Sequence, residues 1–444
     1  MSRVAVVGGG LAGLASALAL ASAGQDVTVF EARGFLGGRA TSYPLNTGAE
    51  DETGPTIDNC QHVLLRCCNN LRDFYRRLGV QDEITFHREF FWIEPGGRMS
   101  VMRRGWLPAP LHFTESFTKL RFLSLADKFA VGSGLLSVKY EYGKRSDLDK
   151  ITMLDWLREK KQTPRAIERF WRQVLVSAIN EDLDRMAAVH GLQVFYLGFL
   201  ASATAYEMGV PNVPLARLYS DEAWARYPQV QFRERATVQE LAIEKGTVRG
   251  LRVNDETVTA DAYVLAVPFE RVQAIAPQLP IDLAPFSHSP ITGIHLWFDR
   301  PVTNLPHATL LDRTIQWMFN KGDGGRHIQL VVSASRSLTN SSKNDVIELA
   351  IRELQEFFPK VAEAKLQRAH VVKEVRATFS AACNLEEQRP TSSTAVSNLF
   401  LAGDWTRSGW PATMEGAVRS GYLAAEATTR FLGSPATFLI PDQR

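Results

Sequence analysis

The first forty residues constrain the fold more than any other part of this 444-residue chain. An apolar stretch from Val4 leads into the pattern Gly8-x-Gly10-x-x-Gly13, and an alanine- and leucine-rich segment follows it. In a strand–turn–helix unit, the first glycine permits a tight turn and the second lets the backbone approach a ligand. The third lets helix and strand pack closely. Because the pattern lies between a predicted strand and a predicted helix, it indicates a Rossmann-type unit rather than a chance glycine turn.

The same unit predicts a dinucleotide site. Val27–Phe30 predicts a second strand, and Glu31 follows it, about 20 residues beyond the glycine turn. A helix N-terminus offers free N–H groups and a favourable dipole, so a pyrophosphate is predicted over Leu11 and Ala12. Glu31, with Ala32 beside it, is placed to accept hydrogen bonds from ribose hydroxyls. We therefore predict that the chain binds a dinucleotide.

A glycine pair and a cation follow the second predicted strand, as Gly37-Gly38-Arg39. A guanidinium there can hold phosphate oxygens with two parallel hydrogen bonds. Gly38 and Arg39 are therefore predicted as a second contact on the pyrophosphate.

The C-terminal region supplies a second set of candidate cofactor residues. A predicted buried strand from Asn398 ends in Gly403-Asp404, and a helix is predicted to begin near Met414-Glu415. Asp404 is predicted to bind a ribityl hydroxyl. The N–H groups at the helix start are predicted to face a flavin pyrimidine ring, where negative charge develops on reduction.

These terminal segments together closely resemble those of the FAD-dependent amine oxidase and phytoene desaturase superfamily. The resemblance implies FAD rather than NAD as cofactor, and it implies that the backbone of Val238 contacts the adenine. No second strand-embedded glycine pattern is found in the sequence, so a separate nicotinamide site is not expected. Gly322–Gly325 is better interpreted as a hairpin turn.

Several internal strings resemble the squalene-associated FAD-dependent enzymes, the hydroxysqualene dehydroxylase family. They are Ile57-Asp-Asn-Cys-Gln-His62, Ser177-Ala-Ile-Asn180, Gly293-Ile-His-Leu-Trp-Phe-Asp-Arg300 and Leu401-Ala-Gly-Asp-Trp-Thr406. The resemblance runs over nearly the whole chain and implies reductive removal of an allylic hydroxyl from hydroxysqualene, which gives squalene. Cys60, where glycine is common, and Ile179, where leucine is usual, depart from the family pattern. Gln61 and His62 are our candidates for polar catalytic groups.

Length and pattern predict an α/β fold in which a Rossmann-type FAD-binding domain is interleaved with a substrate domain of mixed sheet plus helices. A chain of 444 residues exceeds what one hydrophobic core usually supports. The FAD-binding domain is predicted at 1–80, 228–290 and 386–434, and the substrate domain at 81–227 (helical part) and 291–385 (sheet part). Three substrate-domain strands are predicted at Ile294–Phe298, Ile315–Phe319 and Ile328–Ser333, and a helix at Asn344–Phe358.

Composition excludes other classes of function. The net charge of +2 and the absence of a basic arm give no support for nucleic-acid binding. Four cysteines lack metal-ligand spacing and are typical of reduced cytosolic thiols, so no metal site is expected. With no signal peptide or membrane span recognised, a cytoplasmic protein is expected.

The implied substrate adds expectations about partners. A C30 isoprenoid is nearly insoluble, so we expect association with the inner face of the membrane. The segment from Trp106 to Lys144 mixes apolar residues with cations, as an interfacial surface does, although packing within the protein explains the pattern equally well. An electron donor for the flavin is also required. Aromatic walls around a reacting allylic cation are predicted from Trp297, Trp317, Phe319, Trp405 and Trp410.

Three alternatives remain open from the sequence. A phytoene-type carotenoid desaturase uses the same parts in the oxidative direction. An amine oxidase is less well supported, because nothing in the sequence marks an aromatic cage around an amine. A non-catalytic prenyl-lipid escort has the same fold, but it has no use for the flavin-contact residues Arg39, Asp404, Met414 and Glu415.

Overall fold

Five parallel strands form the sheet that carries the predicted dinucleotide unit. In a computed structural model, which describes residues 1–46 and 53–442, their spatial order is Val230–Arg233, Asp26–Phe30, Arg3–Val7, Ala262–Leu265 and Leu399–Leu401. Because the strands are parallel, their carboxyl ends lie at one edge of the sheet, where ligands of such folds bind. The glycine turn, Glu31 and Gly403-Asp404 all follow strands at this edge.

The N- and C-terminal segments meet through two helices, Leu11–Ser22 and Met414–Phe431. Small residues allow the close approach, since a β-carbon on Gly421 would lie 2.3 Å from the carbonyl oxygen of Ala12. The hydroxyl of Ser16 donates to the carbonyl of Gly421 at 2.9 Å. The helix contact therefore places the two halves of the predicted cofactor site on one side of the molecule.

A seven-stranded mixed sheet forms the second large layer. Its order is Leu366–Phe379, His288–Phe298, His327–Ser333, Trp317–Asn320, His307–Leu310, Glu89–Ile93 and Met99–Arg103. Neighbours are antiparallel except His307–Leu310 and Glu89–Ile93. The three strands predicted in this region are present with shifted ends. The predicted turn at Gly322–Gly325 joins two antiparallel neighbours and contains the 3-10 turn Asp323–Gly325.

One part of the mostly helical segment predicted from Glu89 to about Tyr227 is instead a β-hairpin. Glu89–Ile93 and Met99–Arg103 pair with each other and add the last two strands of this sheet. Phe90, Trp92 and Met102 are buried, while their neighbours Phe91 and Val101 are half-buried. This alternation has the two-residue period of a strand with one covered face.

The remaining elements connect these layers. Two smaller sheets contain Ser42–Asn46 with Thr53–Asp58, and Leu64–Leu65, Met208–Pro211 and Ile84–His87; a third contains Val238–Glu244, Thr247–Val253 and Glu256–Val258. The other α-helices are Asn69–Leu78, Thr114–Thr118, Leu125–Glu141, Met153–Glu159, Pro164–Ala166, Arg172–Ile179, Ala188–Phe195, Asp221–Trp224, Phe269–Ile275, Lys343–Phe357 and Lys360–Glu363. π-Helical turns cover Ile167–Trp171 and Tyr196–Leu200. Within the described residues, every helix is too short or too polar to cross a bilayer.

Candidate functional site

The glycine turn is built so tightly that only glycine fits at two positions. Gly8 has a φ of +111°, and a β-carbon there would lie 2.4 Å from the carbonyl oxygen of Ala266. A β-carbon on Gly13 would lie 1.9 Å from the carbonyl oxygen of Gly8. The first turn of the helix therefore sits directly against the turn that precedes it, as the motif predicts.

Glu31 holds the turn from the adjacent strand. Its carboxylate accepts hydrogen bonds from the backbone N–H of Gly9 at 2.7 Å and of Arg33 at 2.8 Å, with Ala32 between. These bonds use one lone pair on each oxygen, so the carboxylate keeps acceptor capacity for a ligand. Its predicted contact with the ribose hydroxyls stays a prediction.

The two glycine segments predicted to hold the pyrophosphate touch each other. The N–H of Gly37 donates to the carbonyl of Gly9 at 2.9 Å, and a β-carbon on Gly38 would lie 3.0 Å from the α-carbon of Gly10. Gly10 is the N-cap of the helix and brings no side chain to its first turn. The N–H groups of Leu11 and Ala12 therefore lack a side-chain cap, as an anion site requires.

Arg39 and Asp404, predicted from opposite ends of the chain, form an ion pair with 2.7 Å between Nη2 and Oδ1. The other terminal nitrogen of Arg39 donates to the carbonyl of Ala377 at 2.8 Å. The guanidinium thus joins the glycine segment, the carboxyl end of the sheet and the strand Leu366–Phe379. Its predicted grip on a phosphate stays a prediction, and here both terminal nitrogens bond to protein.

Two other predicted cofactor residues have a clear structural setting. Val238 is buried at the start of its strand, and Ala236 just before it donates its N–H to the carbonyl of Glu31 at 2.9 Å. Gly403 has a φ of +144°, and a β-carbon there would lie 2.4 Å from Nε1 of Trp405. Both residues therefore lie in segments packed against the binding edge of the sheet.

Met414 and Glu415 begin the C-terminal helix, as predicted. The carboxylate of Glu415 is buried and accepts bonds from the N–H and Nδ2 of Asn70 and from the N–H of Leu71, at 2.7 to 3.1 Å. Burial raises its pKa, against the lowering effect of these bonds. The side chain thus holds the start of the helix Asn69–Leu78, and only the backbone of Glu415 is available for the predicted flavin contact.

A cavity of about 230 Å³ extends between this helix start and the seven-stranded sheet. Trp410, Pro411 and Met414 line it at the cofactor side, and Gln61 lies on its wall. Apolar side chains form most of the remainder, including Val63, Leu64, Leu65, Phe90, Trp92, Met102, Val174, Ile179, Val194, Leu197, Phe199, Met208, Ile291, Trp317, Phe319 and Val331. The cavity therefore joins the predicted flavin-facing helix to a predicted catalytic residue.

Gln61 is held from both ends of its amide. Lys321 Nζ donates to its Oε1 at 3.0 Å, and its Nε2 donates to the carbonyl of His62 at 3.3 Å. Lys321 is in turn paired with the buried carboxylate of Asp58 at 3.0 Å, which also accepts from the N–H of Leu215. One amide hydrogen of Gln61 remains available to a ligand.

His62 lies next to Gln61 and is held by the same loop. Its Nδ1 is 3.0 Å from the carbonyl of Cys60, and because a carbonyl only accepts, Nδ1 carries the proton. Burial lowers the pKa of this imidazole, which favours its neutral form. A catalytic role for His62 stays a prediction.

The predicted aromatic walls are only partly in place. Trp317, Phe319 and Trp410 line the cavity. Trp405 is buried elsewhere and donates to the carbonyl of Val267, while Trp297 stacks on His327. The missed wall residues Phe90 and Trp92 belong to the unpredicted hairpin, and Lys321 was missed because no motif contains it.

Replacing Lys321 by methionine is expected to destabilise the fold by about 3 kcal/mol, because it leaves the buried Asp58 carboxylate without its cation. Urea unfolding measures the change. In the double variant Asp58→Asn/Lys321→Met, most of the loss should be recovered, since no unpaired charge remains. Equal destabilisation of the single and double variants would contradict the ion pair.

Comparison with known proteins shows which family of proteins the chain matches. The sequence profile described as flavin-containing amine oxidoreductase matches residues 11–429. A 15-cis-phytoene desaturase of Synechococcus elongatus is 24% identical, with 96% of this chain and 95% of that protein covered. A chloroplastic or chromoplastic 15-cis-phytoene desaturase of an Oncidium hybrid cultivar is 26% identical over 99% and 80%. A probable zeta-carotene desaturase of Synechococcus elongatus is 27% identical over 96% and 98%.

Solved structures confirm the α/β fold. An oxidoreductase from Methanosarcina mazei superposes with a TM-score of 0.70 at 17% identity, covering 94% of this chain and 98% of that one. A redesigned putrescine oxidase superposes with a TM-score of 0.73 at 17% identity, covering 98% and 99%.

FAD is the cofactor, as predicted, and the residues present fit it. Three features lie at the edge where the parallel strands end. They are the helix start at Leu11, which has no side-chain cap, the close approach of Gly10 and Gly38, and the helix start at Met414. Such N-termini suit the anionic pyrophosphate and the electron-rich end of a flavin.

Proposed function

The chain belongs to the flavin-containing amine oxidoreductase family, and on this premise we propose that it removes the hydroxyl of hydroxysqualene reductively to give squalene. Bound FAD, when fully reduced, would supply a hydride for the carbon that loses the hydroxyl and the proton with which that hydroxyl leaves as water, so that oxidised FAD, squalene and water result. The observation that carries the proposal is the largely apolar cavity, which runs from the helix start at Met414 to the amide of Gln61.

The cavity walls suit a carbon centre that becomes cationic as its hydroxyl departs. Phe90, Trp317, Phe319 and Trp410 present aromatic rings to the space. Such π faces attract a cation, and the apolar lining keeps out water that would recapture it. A wall of this kind also suits a long isoprenoid chain, which offers only apolar surface to bind.

Gln61 is proposed to hold the hydroxyl that leaves. Lys321 and the carbonyl of His62 fix its amide, and the remaining amide hydrogen donates to the hydroxyl oxygen. Lys321 donates to the oxygen of this amide and polarises it. The polarised amide N–H then stabilises negative charge that develops on the hydroxyl oxygen of the substrate. The loop of Gln61 and His62 thus orients the substrate.

A carotenoid-type desaturase is the second candidate, because the relatives at 24 to 27% identity carry desaturase names. In that direction the same cavity would hold an isoprenoid chain, and bound FAD, when oxidised, would accept a hydride from one carbon while the neighbouring carbon loses a proton. The two candidates differ in the flavin state that reacts.

The test is anaerobic. We expect chemically reduced holoenzyme to be reoxidised on addition of hydroxysqualene, with one squalene formed for each flavin reoxidised. Gln61→Leu should slow reoxidation about a hundredfold, as loss of a positioned polar group does. Ser333→Ala, which alters another polar residue lining the same cavity, should have a much smaller effect. Reduced flavin that persists beside intact alcohol, with desaturation of phytoene by oxidised enzyme, would favour the second candidate.

We further propose that the enzyme takes its substrate from the cytoplasmic face of a membrane and receives electrons from a separate donor. The substrate class carries this proposal, because a C30 alcohol partitions into lipid.

A further inference from the structure

The helix Leu125–Glu141 presents a continuous apolar stripe to solvent. Its opposite face packs into the protein through Val131 and Val138, both fully buried. Four exposed residues with spacings of four, seven and four form the stripe: Leu125 (74% exposed), Phe129 (80%), Leu136 (56%) and Tyr140 (66%). At 3.6 residues per turn these positions lie on one face of the helix. A stripe of this size is rare on a surface that faces only water.

Cations border this stripe. Lys128 and Lys139 lie one position before Phe129 and Tyr140, at the edge of the same face. Trp106, which is 84% exposed, adds a large indole from the preceding segment. Indole, long apolar side chains and neighbouring lysines are the combination that membrane interfaces attract.

A basic groove of about 560 Å³ lies beside the stripe. Its charged lining comprises the cations Arg103, Arg104, Lys119 and Arg121 and the carboxylates Glu89 and Glu115. Arg103 pairs with Glu89 at 2.9 Å and Lys119 with Glu115 at 2.8 Å. Among the described residues, Arg104 and Arg121 form no ion pair. Two guanidinium groups are thus available to an anion.

The groove and the stripe belong to one surface. Lys128 Nζ donates to the carbonyl of Thr118, at 2.7 Å, which ties the helix to the segment that supplies the groove's Lys119. Trp106 follows Gly105, another groove residue. We name this surface, comprising the stripe, Trp106 and the groove, the basic face.

The basic face also lies directly outside the cavity. On the hairpin Glu89–Ile93 and Met99–Arg103, side chains alternate between the two faces of the sheet. Phe90, Trp92 and Met102 line the cavity, whereas Met99, Val101 and Arg103 line the groove. A single hairpin therefore separates the two spaces.

We propose that the basic face docks on a bilayer containing anionic phospholipid, with the stripe in the headgroup region and a lipid phosphate in the groove between Arg104 and Arg121. The groove is positively charged and a lipid phosphate is negative, so the two attract each other. Two copies of the basic face would repel each other, which argues against a second copy of this chain as the occupant. The proposal deepens the membrane association in the proposed function, but it does not depend on the reaction catalysed.

Holoenzyme without substrate is sedimented with vesicles of phosphatidylcholine alone or mixed with phosphatidylglycerol. We expect binding to the mixed vesicles only. Phe129→Ser and Leu136→Ser should each weaken vesicle binding about tenfold, since each removes an apolar side chain that docking would bury in lipid. Arg104→Gln and Arg121→Gln should each weaken it about fivefold at low salt.

Matched controls are Val375→Ser, an apolar residue 50% exposed in the strand Leu366–Phe379, and Arg249→Gln, an exposed cation in the strand Thr247–Val253. Both should bind as the wild type does. All variants should retain FAD and react unchanged with substrate in detergent, which separates failed docking from failed chemistry. The proposal is overturned if the wild type ignores anionic vesicles, if Phe129→Ser binds normally, or if that variant only abolishes a dimer.

Discussion

Gly13→Ala is expected to yield protein that purifies with little or no FAD. The added β-carbon would lie 1.9 Å from the carbonyl oxygen of Gly8, and the backbone fixes the positions of both atoms. Neither atom can rotate away, so the helix start and the turn must separate, and the N–H groups of Leu11 and Ala12 move with them. Overpacking of this kind costs a few kcal/mol, which corresponds to about a hundredfold weaker binding. Flavin absorbance per protein and FAD titration of stripped protein measure it.

Gly132→Ala is the matched control, because it makes the same change inside a helix where nothing lies within 4 Å of the new β-carbon. Alanine favours helix, so this variant should keep its FAD and gain about 0.5–1 kcal/mol of stability. If Gly13→Ala bound FAD as tightly as Gly132→Ala, close packing at the glycine turn would not be what forms the site.

The glycine turn was predictable because its geometry is local. Gly8, Gly13 and Glu31 lie within one βαβ unit, and the spacing of residue types fixes how the backbone folds there. The C-terminal helix start at Met414 was predictable for the same reason. Residues in such a unit are constrained by neighbours close in sequence, so the pattern of residue types is enough to predict their local structure.

The substrate side was less predictable because its contacts join distant residues. Lys321 reaches Asp58 and Gln61 across 263 and 260 positions, and no local pattern marks a lysine after a strand as their partner. The position of Glu415 predicted a helix start, but nothing local indicated that its carboxylate holds Asn70 and Leu71, 345 and 344 residues away. Which face of an element is covered depends on these long-range contacts.

Acid is expected to destabilise the fold steeply below about pH 6.5, because several histidines are buried in neutral form. Burial lowers the pKa of His190, His307 and His327 to about 3 and that of His112 and His295 to about 4. The unfolded chain takes up these protons near pH 6.5 and the folded chain does not. Stability is therefore complete above that pH and falls as the pH drops toward the folded values, by about 1.4 kcal/mol per unit for each independent group.

His307 can be tested by substitution, because it lies among the rings of Phe90, Phe91, Trp317 and Phe319, with centroids 5.6 to 6.3 Å away, and beside that of His87 at 5.1 Å. Neither ring nitrogen has a hydrogen-bond partner within the part of the chain that the structure describes. A phenyl ring therefore replaces the imidazole without leaving a polar group unsatisfied. His307→Phe should unfold like the wild type at about pH 8.

At about pH 5, His307→Phe should exceed the wild type in stability by about 2 kcal/mol, since it has no proton to gain on unfolding. Urea unfolding at both pH values measures the difference. Phe91→Leu changes packing against the same imidazole without removing it, so its loss of stability should be equal at the two pH values. An equal acid loss in His307→Phe and the wild type would contradict the assignment.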